Sequence, residues 1–139
     1  MIIEKENINK VIPQQKPFVM IDNLLEFDEQ SATTSLVVKE DNLFFENNSF
    51  NENGMIENMA QSAAAFLGYD TYIKGLDPDE GFIAQVKNYT INKLAKLNEK
   101  IVTTVIYTHT IMNINIVKAN ITLNNEIIAE AELRIFINK

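Results

Sequence analysis

The sequence of 139 residues contains no cysteine, no tryptophan and a single histidine. The lack of cysteine excludes disulfides and thiolate metal sites, and one histidine cannot form a histidine-rich metal cluster. The net charge of −7 argues against a nucleic-acid partner, because phosphate binding needs a basic surface. We therefore expect a protein with no metal, no cofactor and no nucleic-acid partner.

Long apolar runs are also missing, and none approaches the length of a membrane span. The opening residues, MIIEKENINK, carry acidic and amide side chains where a signal peptide has a basic start and an apolar stretch. These features predict a cytoplasmic protein without a membrane partner. The length and the hydrophobic content of 46% suit one globular domain spanning residues 1–139.

The strongest local pattern lies between Gly54 and Gly68, GMIENMAQSAAAFLG. Apolar residues surround the whole helix, and a helix that is apolar all round is buried all round. Glu57 and Gln61 lie one turn apart on one face, and Ala64 and Gly68 continue that line with almost no side chain. We predict a carboxylate and an amide over a shallow groove with room for a substrate or another backbone.

The start of this helix offers a structural alternative for the carboxylate. Asn53 or Gly54 is the predicted N-cap, and a cap at Gly54 places Glu57 at the third helical position, as in a capping box. Glu57 would then satisfy free N–H groups at the positive end of the helix dipole. The helix is predicted to end at Gly68 or to continue until Gly75 stops it.

Strand patterns occupy the rest of the chain, with dense threonine, valine and isoleucine. The predicted strands cover residues 18–29 and 32–38 before the helix, and 81–86, 101–112, 115–123 and 126–137 after it. We predict an α+β fold in which a curved antiparallel sheet, ending in a meander of four strands, wraps around one long central helix. Such a sheet covers the helix incompletely, so we expect a second copy to cover the remainder.

Four segments, in this order along the chain, carry a resemblance to a known family. They are PQQKPFVMID at 13–22, Phe44-Phe45 followed by Phe50, ENMAQ at 57–61 and NEIIAEAEL at 125–133. Together they resemble the hotdog-fold (3R)-hydroxyacyl-acyl-carrier-protein dehydratases, whose helix carries a Glu-x-Met-Ala-Gln motif. The resemblance implies a hotdog fold and dehydration of a 3-hydroxyacyl thioester in fatty acid or polyene-type biosynthesis. It also implies an acyl carrier protein or CoA thioester as partner, and a homodimer or a heterodimer with another hotdog chain.

In that family a loop histidine removes the C2 proton, and the helix carboxylate handles the departing hydroxyl. By resemblance Glu57 is the catalytic carboxylate, and a backbone N–H near Gly54 polarises the thioester carbonyl. From its spacing, Gln61 is expected either to hold Glu57 through an i,i+4 hydrogen bond or to satisfy a neighbouring loop. The sequence departs from the family at the loop, where Ser49-Phe50-Asn51-Glu52 replaces His-Phe-Pro-Gly, and Gln14 replaces a histidine of the opening segment. Neither serine nor asparagine accepts a proton at neutral pH as imidazole does.

Three functions remain open. In the first, Glu57 is the surviving acid/base and Asn48, Ser49 or a bound water replaces the missing base. In the second, the chain is a non-catalytic acyl-binding subunit that contributes Glu57 to a catalytic hotdog partner. In the third, Glu57 activates water in an acyl thioester hydrolase. The lone histidine, His109, is expected to serve packing or the surface of a strand.

Two further groups of residues are candidates for binding. Phe82 and Ile83 are expected to line the acyl pocket. On a chain of net charge −7, a local cluster of positive charge is formed by Lys87, Lys93 and Lys96. They form either a docking patch for an acidic carrier protein or an edge strand kept soluble by lysine.

Overall fold

One long helix lies against a six-stranded antiparallel sheet. The structure is a computed structural model that describes residues 2–77 and 80–138, and residues 80, 82, 137 and 138 are described by their backbone alone. The helix α1 spans Glu52–Ile73, and a short 3-10 helix spans Lys5–Lys10. The strands are β1 Asn23–Phe27, β2 Ser31–Val37, β3 Phe45–Glu46, β4 Ser49–Phe50, β5 Glu80–Ile91, β6 Lys100–Ile111, β7 Ile114–Leu123 and β8 Glu126–Asn138.

The strand order in the large sheet is β1-β2-β6-β7-β8-β5, and β3 pairs with β4 as a separate hairpin. Strands β6, β7 and β8 form the predicted antiparallel meander. The prediction was wrong for β5, which pairs with β8 at the far edge instead of with β6. The chain crosses the sheet through α1 between β2 and β5, so β5 joins the opposite edge, and β6 then returns to pair with β2.

The helix packs its most apolar face against the sheet, with Met55, Met59 and Ala63 fully buried. A second face, formed by Ala60, Ala64 and Leu67, is only half-buried. The sheet therefore wraps around the helix without enclosing it, which confirms the predicted architecture.

The helix begins earlier than the sequence pattern indicated. Asn51 is the N-cap, and its side chain accepts a hydrogen bond of 2.9 Å from the Gly54 N–H. The predicted cap at Asn53 or Gly54 was therefore wrong, because Asn51 supplies the same favourable amide oxygen upstream. At the other end the helix runs past Gly68 to Ile73, and Gly75 follows with a φ of +77°, as in the longer of the two predictions.

The predicted strand at residues 18–29 is confined to β1, and residues 18–22 precede it as an irregular segment. The main chain of Phe18 and Met20 is bound by side chains of α1 rather than by a neighbouring strand. The loop predicted at residues 77–80 includes Pro78 and Asp79, which lie outside the described residues.

Candidate active site

A groove of about 520 Å³ runs along the half-buried face of α1. Its floor is made by the small residues Ala60, Ala64 and Gly68, and Glu57 lines one part of it. Lys74 lines another part, about 25 Å from Glu57 along the helix axis at 1.5 Å per residue. The groove is therefore the shallow channel of small residues that the sequence predicts beside Glu57.

The Glu57 carboxylate is held within this groove by its neighbour one turn later. Its Oε1 accepts a hydrogen bond of 2.9 Å from Gln61 Nε2. Because α1 begins at Glu52, Glu57 lies beyond the first turn and does not cap the helix. The capping-box alternative was therefore wrong, and the carboxylate is placed where a ligand in the groove can meet it.

Gln61 is fully buried, and both ends of its carboxamide form hydrogen bonds. Its Nε2 also donates to the Phe18 carbonyl at 2.8 Å, and its Oε1 accepts from the Met20 N–H at 2.6 Å. One side chain thus joins the Glu57 carboxylate to the irregular segment before β1. This supporting role is the one predicted for Gln61.

Asn58 reinforces the same contact, although sequence reasoning did not single it out. Its Nδ2 donates to the Met20 carbonyl at 2.8 Å, and its Oδ1 accepts from the Thr103 hydroxyl of β6. Asn58 and Thr103 are both fully buried. An asparagine inside an otherwise apolar helix was the available signal, because a buried amide needs partners.

Gly54 lies under the β3–β4 hairpin and not in the groove. A Cβ added there would lie 2.5 Å from Phe50 Cε1 and 2.7 Å from Phe44 Cβ. Its N–H is already bound by the Asn51 cap. Within this chain that N–H is therefore engaged and not free to polarise a thioester carbonyl.

Asn48 and Ser49 lie in the same hairpin and do not line the groove. Asn48 adopts a φ of +62°, which suits a tight turn, and its carbonyl accepts from the Leu97 N–H. The Ser49 hydroxyl lies 3.5 Å from the Asn47 carbonyl. Within one chain these two residues are therefore not part of the groove that Glu57 lines.

The two predicted pocket residues on β5 have different outcomes. Ile83 lines the groove and is 39% exposed. The side chain of Phe82 lies outside the described residues. Several groove residues were not predicted as pocket residues, among them Gln14 from the opening segment and Asn115 from β7.

The three lysines proposed for carrier docking lie away from the groove lining. Lys87 is half-buried on β5, and Lys96 is exposed in the connection from β5 to β6. Lys93 pairs with Glu126 at 3.3 Å, so part of its charge is engaged within the chain. A second cavity of about 290 Å³ is lined by other lysines, among them Lys16 and Lys39.

His109 is exposed on β6, where its Nδ1 lies 3.1 Å from Thr108 Oγ1. A bulge between Tyr107 and His109 interrupts the alternation of the strand. His109 is not among the groove-lining residues, so it is not placed to act with Glu57 in one chain.

Comparison with known proteins assigns the family. Residues 6–139 match the model of the ApeP-like family, described as ApeP dehydratase. The chain belongs to the ApeP-like dehydratase family. Among curated relatives, an uncharacterized thioester dehydrase of Halalkalibacterium halodurans is 30% identical over 105 residues. That match covers 68% of this chain and 66% of the relative, so the chain spans just under two thirds of the length of this relative.

Solved structures share the fold at low sequence identity. A chain of the dehydratase heterocomplex ApeI:P from Xenorhabdus doucetiae has a TM-score of 0.82 and 12% identity, covering 95% of this chain and 91% of that one. A hypothetical thioesterase from Streptococcus pneumoniae, crystallised with coenzyme A, has a TM-score of 0.67 and 10% identity, covering 84% of each chain. The hotdog fold implied by the resemblance is thereby confirmed.

Among the described residues, no helix combines the length and the apolar character needed to cross a bilayer.

Proposed function

We propose that this member of the ApeP-like dehydratase family acts on an acyl thioester and takes part in dehydrating a 3-hydroxyacyl group. The observation that carries the proposal is the position of Glu57. Glu57 lines a groove whose floor consists of small residues, and its carboxylate accepts a hydrogen bond from the buried Gln61 amide. Such a carboxylate is preorganised toward a bound ligand, since its hydrogen bond to Gln61 fixes its orientation.

The proposed reaction breaks the C2–H and C3–O bonds, forms the C2=C3 double bond and releases water. Glu57 delivers a proton to the departing hydroxyl, and a base removes the C2 proton. Asp70 also lines the groove but lies exposed, 3.7 Å from Lys74 at its far part. Glu57 is therefore the groove carboxylate best placed for this chemistry.

The base is proposed to come from a second hotdog chain. By the resemblance to (3R)-hydroxyacyl-acyl-carrier-protein dehydratases, Ser49 takes the position of their loop histidine, and it lies in the β3–β4 hairpin, outside the groove lining. The solved structural relative from Xenorhabdus doucetiae is a heterocomplex, which supports pairing of two such chains. β5 lies at one edge of the sheet with Ile83 and Val86 exposed, and an edge strand is a template for pairing. We propose a heterodimer first and a homodimer second.

The thioester carrier is proposed to be an acyl carrier protein or CoA in the cytoplasm, with docking at Lys87, Lys93 and Lys96. Long-range attraction at these lysines would steer an acidic carrier toward this edge of the molecule. An acyl thioester hydrolase is the competing function, since a thioesterase crystallised with coenzyme A shares the fold.

The test compares Glu57→Gln with the parent on 3-hydroxyacyl thioesters of CoA and of an acyl carrier protein. Each is assayed alone and mixed with a catalytic hotdog chain, and enoyl product and free thiol are both measured. We expect Glu57→Gln to lower dehydration by about a hundredfold or more, the scale of a lost general acid. Glu130→Gln, an exposed carboxylate on β8, is the matched control and should retain activity.

Turnover by Glu57→Gln equal to that of the control would refute the role of the carboxylate. Dehydration by the pure chain would favour a homodimer, and activity that appears only with the added chain would favour a heterodimer. Release of free thiol without enoyl product would identify a hydrolase instead.

A further inference from the structure

Gln14 lines the same groove as Glu57, and its side-chain oxygen is buried without a hydrogen-bond partner among the described residues. Buried polar atoms in proteins are nearly always paired, because an unpaired acceptor carries the full cost of its desolvation. No other side-chain nitrogen or oxygen in the described part of the chain is buried and unpaired. The one buried, unpaired side-chain oxygen among the described residues therefore belongs to Gln14, which lines the candidate active site.

The main chain at Gln14 is anchored, and its segment is joined to the Glu57 carboxylate through Gln61. Asn9 Nδ2 donates to the Gln14 carbonyl, which anchors the segment at this residue. Four residues later the Phe18 carbonyl is bound by Gln61, the same amide that holds Glu57. One buried side chain thus connects the segment that carries Gln14 to the proposed acid.

The Gln14 carboxamide itself is not held. None of the side-chain hydrogen bonds among the described residues involves it, and the terminal torsion of glutamine is broad and soft. The oxygen can therefore turn into the groove at little cost when a donor arrives there. A neutral carboxamide keeps this accepting ability at every pH at which the protein is folded.

We propose that Gln14 recognises the C3 hydroxyl of the acyl group by accepting its hydrogen bond, and this rests on the proposed function. With its hydrogen directed at Gln14, the hydroxyl presents its oxygen lone pairs to the proton delivered by Glu57. A saturated acyl group and the enoyl product have no donor at C3. Gln14 therefore selects the substrate over its product and over unsubstituted acyl groups.

The test uses pantetheine amides that carry hydroxyl, fluorine or hydrogen at C3. An amide replaces the thioester because its C2 proton is far less acidic, so the hydroxyl ligand is not dehydrated during the measurement. Fluorine matches hydroxyl in size but cannot donate. Binding to the parent, Gln14→Met and Gln15→Met is measured by calorimetry, in whichever assembly shows turnover.

The parent should bind the hydroxyl ligand about fivefold or more tightly than the fluorine and hydrogen ligands, the scale of one hydrogen bond. Gln14→Met, which has the same length and no amide, should lose about fivefold of this preference and keep only the part due to Glu57. Gln15 is the exposed neighbour, and Gln15→Met should keep the preference of the parent. Gln14→Met should melt no lower than the parent, because the resting side chain has no hydrogen bond to lose.

An unchanged preference for hydroxyl in Gln14→Met would overturn the inference. If Gln14→Met bound all three ligands more weakly by the same factor, the inference would also be overturned. The group that donates a hydrogen bond to Gln14 would then lie on the pantetheine part that the ligands share. The proposed function is tested separately. Full dehydration activity in Glu57→Gln would refute it, and that result does not depend on this binding preference.

Discussion

Replacing Gln61 with methionine removes three hydrogen bonds from the centre of the candidate site while nearly conserving volume. The variant leaves the Met20 N–H and the Phe18 carbonyl without their partners and releases the Glu57 carboxylate. A buried group left unpaired costs about 1–3 kcal/mol. The hydrogen bond to the Phe18 carbonyl is only partly buried, so the cost of losing it lies near the low end of that range. Together with the cost at the Met20 N–H, we expect a loss of about 2–4 kcal/mol in the free energy of unfolding.

Urea denaturation measures this loss directly. For a domain with an m-value of about 2 kcal/mol/M, the midpoint should fall by about 1–2 M while the m-value stays constant. The matched control is Gln85→Met, the same chemical change at an exposed position of β5, and it should stay within about 0.5 kcal/mol of the parent. A Gln61→Met variant as stable as this control would refute the claim that the buried amide holds the opening segment to α1.

Two further predictions concern packing and ionisation. Gly54→Ala should destabilise the protein by about 1–3 kcal/mol in denaturation experiments, because the added Cβ would lie 2.5 Å from Phe50 Cε1. Gly75→Ala has nothing within 4 Å of the added methyl but a φ of +77°, so it should cost only about 1 kcal/mol of backbone strain, and a larger loss there than at Gly54 would contradict the packing argument. Burial, and then the negative charge of Glu52, raise the pKa of Tyr89 to about 12, so ultraviolet titration should show a tyrosine that ionises near that pH and is missing in Tyr89→Phe. Because this folded-state pKa is raised, the stability it contributes is complete below about pH 10 and is lost as the pH rises to about 12. The free energy of unfolding of the parent should therefore fall relative to that of Tyr89→Phe across this window, and a rise of the parent relative to the variant would contradict the sign.

The helix and its groove could be predicted because both follow from local geometry. Residues four apart on a helix share a face whatever the rest of the chain does, so Glu57 and Gln61 had to be neighbours. The small residues Ala64 and Gly68 then had to continue the same face. The structure confirms the contact between the two polar side chains at 2.9 Å.

Strand pairing could not be predicted in the same way. The short apolar run at residues 81–86 indicates a strand but carries no information about its neighbour, and β5 pairs with β8 across a long stretch of chain. The segment at residues 18–22 was assigned as strand because it is apolar. Within it, the Phe18 carbonyl and both main-chain groups of Met20 are bound instead by helix side chains that lie 38 to 43 residues away in sequence.

The supporting polar residues were the hardest part of the site to identify. Asn58 occupies a variable position of the family motif, and its partners Met20 and Thr103 lie 38 and 45 residues away. Gln14 stood out only as a replacement for a family histidine. Its unpaired oxygen becomes visible only when the three-dimensional surroundings are known.

A crystal structure of the active assembly with the 3-hydroxyacyl pantetheine amide tests the central claim most directly. The account predicts the C3 oxygen within hydrogen-bond reach of the Glu57 carboxylate, about 2.6–3.2 Å, and the acyl chain over Ala60 and Ala64. An acyl chain bound in the second cavity, beside Lys16 and Lys39, with no ligand atom near Glu57, would contradict it.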